Sequence, residues 1–138
     1  MEKHVVVIDD EKAIRSILDS RLSLCGFEVH CCESGKEGLK CVMNLVKTTP
    51  IDVILLDWMM PKMSGLEVLA KLKRHRKTRH IPVFMLTSKN SVNDLEEAYA
   101  TGADNFIIKP FMGKSIGKTI ELKLIRIQEK RERLVGAC

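Results

Sequence analysis

The residues best suited to chemistry follow three apolar stretches of this chain, at residues 4–8, 52–56 and 105–108. In chain order they are Asp9 and Asp10, Asp57, and Lys109. In an open parallel sheet, ligands bind beyond the carboxyl ends of the strands, near the point where the strand order reverses. We therefore expect three carboxylates and one lysine to converge at one edge of a sheet.

The composition of this cluster predicts the kind of ion that it binds. Three carboxylates without a neighbouring Cys or His provide hard oxygen ligands, and these suit Mg²⁺. Mg²⁺ usually binds proteins through one or two carboxylates and keeps several water ligands. We therefore expect the carboxylates of this cluster to hold a Mg²⁺ ion.

Length and composition indicate one domain with its own core. The chain has 138 residues, of which 45% are hydrophobic, and it contains no apolar run near the roughly 18 residues that a membrane span needs. Its first residues lead directly into an apolar strand without the features of a signal peptide. We expect a soluble, cytoplasmic protein that makes no contact with a membrane.

The five cysteines form no recognisable framework. They are an odd set without C-x-x-C spacing, which argues against a disulfide scaffold or a zinc site. We expect them to be reduced and to act as small hydrophobic side chains. Their positions are Cys25, Cys31, Cys32, Cys41 and Cys138.

The net charge of +5 is concentrated in residues 71–80, which hold six Lys or Arg and no acid. Such a run is one feature of a nucleic-acid-binding surface. The alternative is a solvated helix end, where cations face the negative end of the helix dipole. We favour the second interpretation because no aromatic residues interleave the run, and we expect no direct binding of nucleic acid by this domain.

The hydrophobic pattern alternates between strands and helices five times, which predicts an α/β fold with a parallel sheet. A stripe of Ile14, Ile17, Leu18 and Leu22 marks the first helix, about residues 11–24. Three later helices open at Ser34, Ser64 and Ser91, each followed three residues later by an acid. The last helix is expected from Met112 or Gly113 to about Leu134. The predicted strands are 4–8, 27–31, 52–56, 82–86 and 104–108.

Five motifs stand in order at the ends of these strands. They are Asp9-Asp10-Glu11, the run from Leu55 to Gly65 around Asp57 and Pro61, Leu86-Thr87-Ser88, Gly102-Ala103-Asp104, and Lys109-Pro110-Phe111. Together they resemble the receiver domain of two-component response regulators, the CheY-like family. The resemblance covers about residues 3–126. It implies a doubly wound, flavodoxin-like sheet with the strand order 2-1-3-4-5, a receiver domain at 1–126, and a helical extension at 127–138 that resembles a linker to an output domain.

The resemblance also implies roles for single residues. Asp57 looks like the phosphoacceptor, which takes a phosphoryl group from a sensor histidine kinase or a phosphotransfer protein. Asp9 and Asp10 look like Mg²⁺ ligands, together with Asp57 and the backbone carbonyl of Met59. Contacts with the phosphoryl oxygens are assigned to Thr87 and Lys109, and Pro110 is expected to follow a cis peptide bond.

A conformational switch is implied as well. Phosphorylation would draw in Thr87, and Phe106 would rotate into the space left behind, changing the surface of helix 4, strand 5 and helix 5. Phe106 as an ordinary core residue is the alternative. A homodimer through this surface is possible, with an apolar stripe of the last helix as its contact; the stripe comprises Ile116, Ile120, Leu124 and Ile127.

The expected function is therefore a switch that phosphorylation activates and that is not itself an enzyme. Two other functions are alternatives to it. A Mg²⁺-dependent phosphatase with an aspartyl-phosphate intermediate usually carries a second acid two residues after the nucleophile, whereas Met59 stands there. An interaction module independent of phosphate would not need the set of Asp57, Thr87 and Lys109. Asp10 as the N-cap of the first helix is a further structural alternative.

Overall fold

The computed structural model describes residues 2–88, 92–109 and 115–136. Five strands alternate with five helices along the chain. The strands are β1 (Lys3–Ile8), β2 (Phe27–Cys32), β3 (Val53–Asp57), β4 (Val83–Thr87) and β5 (Asn105–Ile108). The helices are α1 (Lys12–Leu24), α2 (Gly35–Leu45), α3 (Gly65–Arg74), α4 (Val92–Thr101) and α5 (Ile116–Gly136).

All four pairings in the sheet are parallel, and the strand order is β2-β1-β3-β4-β5. The doubly wound α/β architecture predicted from the alternation of elements is therefore confirmed. β2 lies at an edge, as its alternating sequence indicated. β3 and β4 are buried along their whole length, as expected for strands covered by helices on both faces.

Side chains that alternate along the strands divide the core into two layers. Val5 and Val7 of β1 face the layer that contains α1 and α5, while Val6 and Ile8 face the layer that contains α2 and α3. In α1 the buried residues are Leu18 and Leu22. Ile17 was expected on the same stripe, but it is 41% exposed. The face of α1 that contacts the core is therefore narrower than the stripe of apolar residues in its sequence.

The apolar stripe of α5 is also oriented differently from the expectation. Ile116 and Ile120 are buried, and Leu124 and Ile127 pack against the same core layer. The stripe therefore covers the sheet and is not free to form a dimer contact. The large apolar side chains that α5 exposes are Leu122, Ile125, Leu134 and Val135.

Two helices begin with the caps that the sequence predicts. The Ser34 hydroxyl accepts a hydrogen bond from the backbone N–H of Glu37, and the Ser64 hydroxyl accepts one from that of Glu67. These bonds satisfy backbone donors that have no partner inside the helix. The predicted cap at Ser91 and the predicted start of α5 at Met112 or Gly113 lie outside the described residues.

The basic run at 71–80 starts in the last turn of α3, where Lys71, Lys73 and Arg74 lie. This agrees with a helix end, but Lys73 is not solvated as expected. Its ammonium group donates to the carboxylate of Asp104 (2.8 Å) and to the carbonyl oxygens of Ile81 (2.9 Å) and Arg79 (3.3 Å). Lys73 therefore joins α3 to the segments that lead into β4 and β5.

Beyond Ile127, a hydrogen bond from Arg131 links α5 to the rest of the domain. The guanidinium of Arg131 donates to the backbone carbonyl of His80 at 2.8 Å. The helix continues to Gly136, two residues past the expected end. Within the described ranges, no helix combines the length and the apolar character that crossing a bilayer requires.

Candidate functional site

Three carboxylates converge where β1 and β3 end. Ligand oxygens of Asp9, Asp10 and Asp57 all lie within 4.8 Å of one another. β1 and β3 are neighbours in the sheet, with Ile8 paired to Leu56, so the residues that follow these two positions meet at the same edge. The convergence predicted from the sequence is confirmed for all three acids.

Asp9 is the most firmly held of the three. Its side chain is fully buried, its backbone N–H donates to the carbonyl of Cys32, and its carbonyl accepts from the guanidinium of Arg15. One carboxylate oxygen, Oδ1, accepts from the backbone N–H of Glu11. Asp9 therefore has little freedom to move away from the cluster.

Asp10 has a different role from the helix cap considered above. The N-cap of α1 is Glu11, and its side chain makes no capping hydrogen bond. Asp10 is exposed, and one of its carboxylate oxygens lies within 4.8 Å of those of Asp9 and Asp57. The structure thus places Asp10 at the solvent side of the carboxylate cluster.

Asp57 is the last residue of β3 and is 4% exposed. Burial, followed by the negative charge of Asp9 and the contact with Asp10, raises the pKa of Asp57 to about 7, although Lys109 acts in the opposite direction. The cause is that the ionised form loses water and faces another anion. A cation at this site would reverse the effect by favouring the ionised carboxylate.

Lys109 reaches the cluster from the end of β5. Its Nζ lies 2.9 Å from Oδ2 of Asp9, 3.1 Å from Oδ1 of Asp57 and 3.7 Å from Oε1 of Glu11. Burial alone would lower the pKa of Lys109, but the contacts and charges of the two aspartates outweigh it and raise that pKa. Lys109 is therefore a fixed positive charge beside Asp57.

The cluster fits a divalent cation. Three carboxylates against one ammonium group leave a formal charge of −2. Oδ2 of Asp9 is buried and, in the part of the chain that the structure describes, has no hydrogen-bond donor; its contact with Lys109 is an ion pair by distance. An excess of buried negative charge over positive charge is costly. Hard carboxylate oxygens suit Mg²⁺.

Met59 and Thr87 lie on two sides of Asp57. Met59 is 63% exposed, two residues after the end of β3, and its backbone carbonyl is the fourth ligand that the resemblance implies. Thr87 is the buried last residue of β4. Its carbonyl accepts from the backbone N–H of Lys109 at 2.8 Å, so Thr87 and Lys109 hold neighbouring positions at this edge.

Phe106 lies partly buried between two aromatic rings. It stacks on Trp58 with a centroid distance of 6.3 Å, and it meets the edge of Tyr99 at 4.7 Å. Trp58 follows Asp57 directly, and Tyr99 belongs to α4. Phe106 thus packs against the core and also connects the end of β3 to α4, while its role as a switch stays a prediction.

Sequence reasoning gave no role to some residues of this site. The Glu11 carboxylate forms an ion pair with Lys109, and its backbone N–H donates to Asp9. In the sequence, only its position directly after Asp9-Asp10 could have suggested these contacts. The contact of Trp58 with Phe106 joins residues distant in sequence, and no local pattern reports it. Pro110, which was expected to follow a cis peptide bond beside Lys109, lies outside the described residues.

Comparison with known proteins identifies the family. Residues 5–121 match the model of the response regulator receiver domain. The chain is 38% identical over 133 residues to "Probable transcriptional regulator ycf27" of Cyanidium caldarium, covering 96% of this chain and 51% of that protein. It is 34% identical over 128 residues to "Transcriptional regulatory protein SrrA" of Staphylococcus aureus, covering 93% of this chain and 50% of that protein. The chain therefore spans about half the length of these relatives.

Solved structures show the same fold. The chemotaxis protein CheY4 of Vibrio cholerae superposes with a TM-score of 0.80 at 29% identity, covering 88% of this chain and 98% of that one. A CheY-like receiver domain protein of Methanospirillum hungatei superposes with a TM-score of 0.79 at 25% identity, covering 94% and 99%. With its five motifs, its strand order and its cluster of acids, this chain belongs to the receiver domain family of two-component response regulators.

Proposed function

We propose that Asp57 accepts a phosphoryl group from a phosphohistidine of a sensor kinase or phosphotransfer protein, and that this modification switches the surface formed by α4, β5 and α5. The observation that supports it most is the charge imbalance around Asp57. Three carboxylates face one lysine there, which is a costly arrangement for a protein that only needs to fold.

The first requirement of phosphoryl transfer is that Asp57 can act as a nucleophile. Its carboxylate must be ionised to attack phosphorus, and burial beside Asp9 works against ionisation. We assign Mg²⁺ to Asp9, Asp10, Asp57 and the backbone carbonyl of Met59. When bound, this ion neutralises negative charge on the carboxylates and the phosphoryl oxygens.

The second requirement is that the incoming phosphoryl group is held in place. Lys109 provides a positive charge 3.1 Å from Asp57, and such a preorganised group stabilises the charge that develops during transfer. The Thr87 hydroxyl at the end of β4 is assigned as a donor to a phosphoryl oxygen. Positioning and electrostatic stabilisation account for most of the catalysis in reactions of this type.

The third requirement is a connection from the site to a distant surface. Trp58 links the end of β3 to Phe106, and Phe106 contacts Tyr99 of α4. Movement of Thr87 toward a phosphoryl group would change the space beside Phe106. Phosphorylation would then shift the population between two arrangements of this aromatic contact.

The switched surface carries apolar side chains that a partner could cover. Tyr99, Ile108, Leu122 and Ile125 are all exposed and belong to α4, β5 and α5. We propose that phosphorylated chains self-associate through this surface, using these residues and not the buried stripe of α5. Sedimentation with and without beryllofluoride, a phosphoryl mimic, tests this; an unchanged monomer would instead indicate a separate partner.

Two properties complete the proposal. The domain is not an enzyme acting on a separate substrate, since Met59 stands where an aspartyl-phosphate phosphatase usually has a second acid. Its place is the cytoplasm, beside the kinase that supplies the phosphoryl group. Two relatives are named as transcriptional regulators, so we propose that this receiver controls an output domain or partner that regulates transcription.

The direct test is phosphorylation by acetyl phosphate, followed by the intact mass. We expect one phosphoryl group on the wild type when Mg²⁺ is present, and none when it is chelated. Asp57→Asn should take up none. Asp19→Asn is the matched control, because Asp19 lies on α1 and contacts Ser23, so it should be labelled like the wild type. Undiminished labelling of Asp57→Asn would show that the acceptor is another residue.

A further inference from the structure

Outside the carboxylate cluster, the cysteines of β2 and α2 form the most distinctive chemical group. Cys32 is the last residue of β2 and is buried, and Cys41 lies in α2 and is half-buried. Both cysteines line the same surface cavity, and Cys41 packs against the core cluster that contains Cys32. Burial, followed by the neighbouring Cys41, raises the pKa of the Cys32 thiol. Two thiols from different elements are thus direct neighbours.

The packing of α2 explains why the two thiols meet. Gly35 and Gly38 face the interior, and a Cβ at Gly38 would lie only 2.7 Å from Cγ1 of Ile8. Glycine at these positions therefore lets α2 approach the sheet closely. Cys41 lies three residues after Gly38, on the same face of α2. It therefore faces the end of β2.

We propose that Cys32 and Cys41 form a dithiol that a peroxide converts into an intramolecular disulfide. In the first step the peroxide O–O bond breaks, the Cys41 sulfur takes one OH as a sulfenic acid, and one water leaves. In the second step the Cys32 sulfur attacks the Cys41 sulfur, an S–S bond forms, and the OH leaves as water with the thiol proton. Two thiols are oxidised by two electrons, and one peroxide is reduced to two waters.

The surroundings assign a separate role to each thiol. Cys41 borders a surface cavity of about 330 Å³, which is large enough to admit a peroxide. The other lining residues are Cys31, Cys32, Glu37, Lys40 and Asn44. Cys32 is 7% exposed, so it is poorly placed to meet an oxidant itself. Cys41 is therefore the thiol that is oxidised first, and Cys32 is the one that resolves the sulfenic acid.

Cys31 offers a matched control, because it precedes Cys32 and borders the same cavity, while its thiol contacts α1. Neighbouring side chains of a strand project to opposite faces, and the Cys31 thiol lies 3.9 Å from the carbonyl of Arg15 in α1. It has a similar position in the sequence but a different environment. Cys31→Ser should leave the cross-link intact.

The disulfide would join α2 to a residue that contacts the carboxylate cluster. The backbone carbonyl of Cys32 accepts the hydrogen bond from the N–H of Asp9 at 3.1 Å. Oxidation would thus fix the end of β2, one hydrogen bond away from Asp9. The inference does not depend on phosphorylation of Asp57, since it concerns only the two thiols.

The test is to treat the reduced full chain with hydrogen peroxide, alkylate the remaining thiols, and map the peptides by mass. We expect a peptide pair joined through Cys32 and Cys41, a loss of about 2 Da in the intact mass, and reversal by dithiothreitol. Cys31→Ser should behave like the wild type, and Cys41→Ser should lose the cross-link. Cys32→Ala should also lose the cross-link. Alanine is used at this position because serine would bury an unpaired hydroxyl.

Two results would overturn the proposal. One is a cross-link of the same yield in Cys41→Ser, which would show that other cysteines pair. The other is stepwise addition of oxygen to single cysteines of the wild type, without any cross-link. Circular dichroism before oxidation ensures that the compared variants are folded.

Discussion

Two lysines held by carboxylates lie at opposite ends of the sheet, and they differ in the charge that faces them. Lys73 pairs with one carboxylate, Asp104, and with two carbonyl oxygens, while Asp104 also accepts from the N–H of Val83. Lys109 instead faces Asp9 and Asp57, with Asp10 beside them. One cluster is neutral, and the other has an excess of negative charge.

The difference separates a structural cluster from a functional one. An ammonium group has three donors, and Lys73 has three acceptors, so its cluster is complete without another ion. The cluster of Lys109 leaves Oδ2 of Asp9 without a hydrogen-bond donor among the described residues. In the function that we propose, this imbalance is the feature that favours binding of a cation and a phosphoryl group.

The largest expected effect on stability is at the neutral cluster. Lys73→Met should lower the free energy of unfolding by about 2–3 kcal/mol, because it leaves Asp104 and two carbonyls without their donor. Urea denaturation measures this, and labelling by acetyl phosphate should persist in the folded variant. Equal stability of Lys73→Met and the wild type would remove the structural role assigned to this lysine.

At the charged cluster, a substitution that removes a carboxylate is expected to raise the free energy of unfolding. Because the pKa of Asp57 is raised from 3.8 to about 7 in the fold, its contribution to stability is present below about pH 4 and is lost as the pH rises through 7. Without Mg²⁺, Asp57→Asn should therefore be more stable than the wild type by about 1–2 kcal/mol above pH 7. This is less than the full pKa difference would give, because the variant also loses the ion pair with Lys109. The difference should vanish near pH 4.

Urea denaturation of Asp57→Asn and the wild type, at pH 4.5 and pH 8 with a chelator present, measures this difference in stability. Asp19→Asn is the control, because it removes an exposed carboxylate. A difference between Asp57→Asn and the wild type that does not depend on pH would mean that burial does not perturb Asp57.

A smaller effect on stability is expected from Mg²⁺, which should bind at the charged cluster and not at the neutral one. An ion at ten times its dissociation constant stabilises the fold by about 1.4 kcal/mol. We expect this gain in the wild type and in Lys73→Met, and a much smaller gain in Asp9→Asn or Asp10→Asn. Trp58 fluorescence follows the titration, since this residue adjoins Asp57. Titration curves of the two Asp variants that match the wild type would exclude the site.

The smallest expected effect concerns the lifetime of the phosphoryl group. Hydrolysis needs a water in line with the bond to phosphorus, and Met59 is a weak hydrogen-bond acceptor that cannot orient it. Met59→Asn should therefore speed phosphate loss a few-fold at fixed Mg²⁺. Because Met59 is exposed, this change should leave stability unaltered. A rate equal to or slower than that of the wild type would show that Met59 does not limit access of water.

The sequence predicted the parts of this molecule that depend on local pattern. Apolar strands that end on Asp9 or Asp57, and the serine caps of α2 and α3, are visible in short segments. The partners of Lys73 were not predictable, because Asp104 lies 31 residues away and a basic run gives no sign of which cation turns inward. The exposure of Ile17 and the burial of the α5 stripe depend on how the helices pack, which periodicity alone does not determine.

The central claim is that Asp57, among three neighbouring carboxylates, is the one that is phosphorylated. Borohydride reduces an acyl phosphate on aspartate to homoserine, so it marks the modified residue permanently. The chain would be treated with acetyl phosphate and Mg²⁺, reduced, digested and mapped by mass. The account predicts homoserine at position 57 alone. Homoserine at position 9 or 10, with Asp57 unmodified, would contradict it.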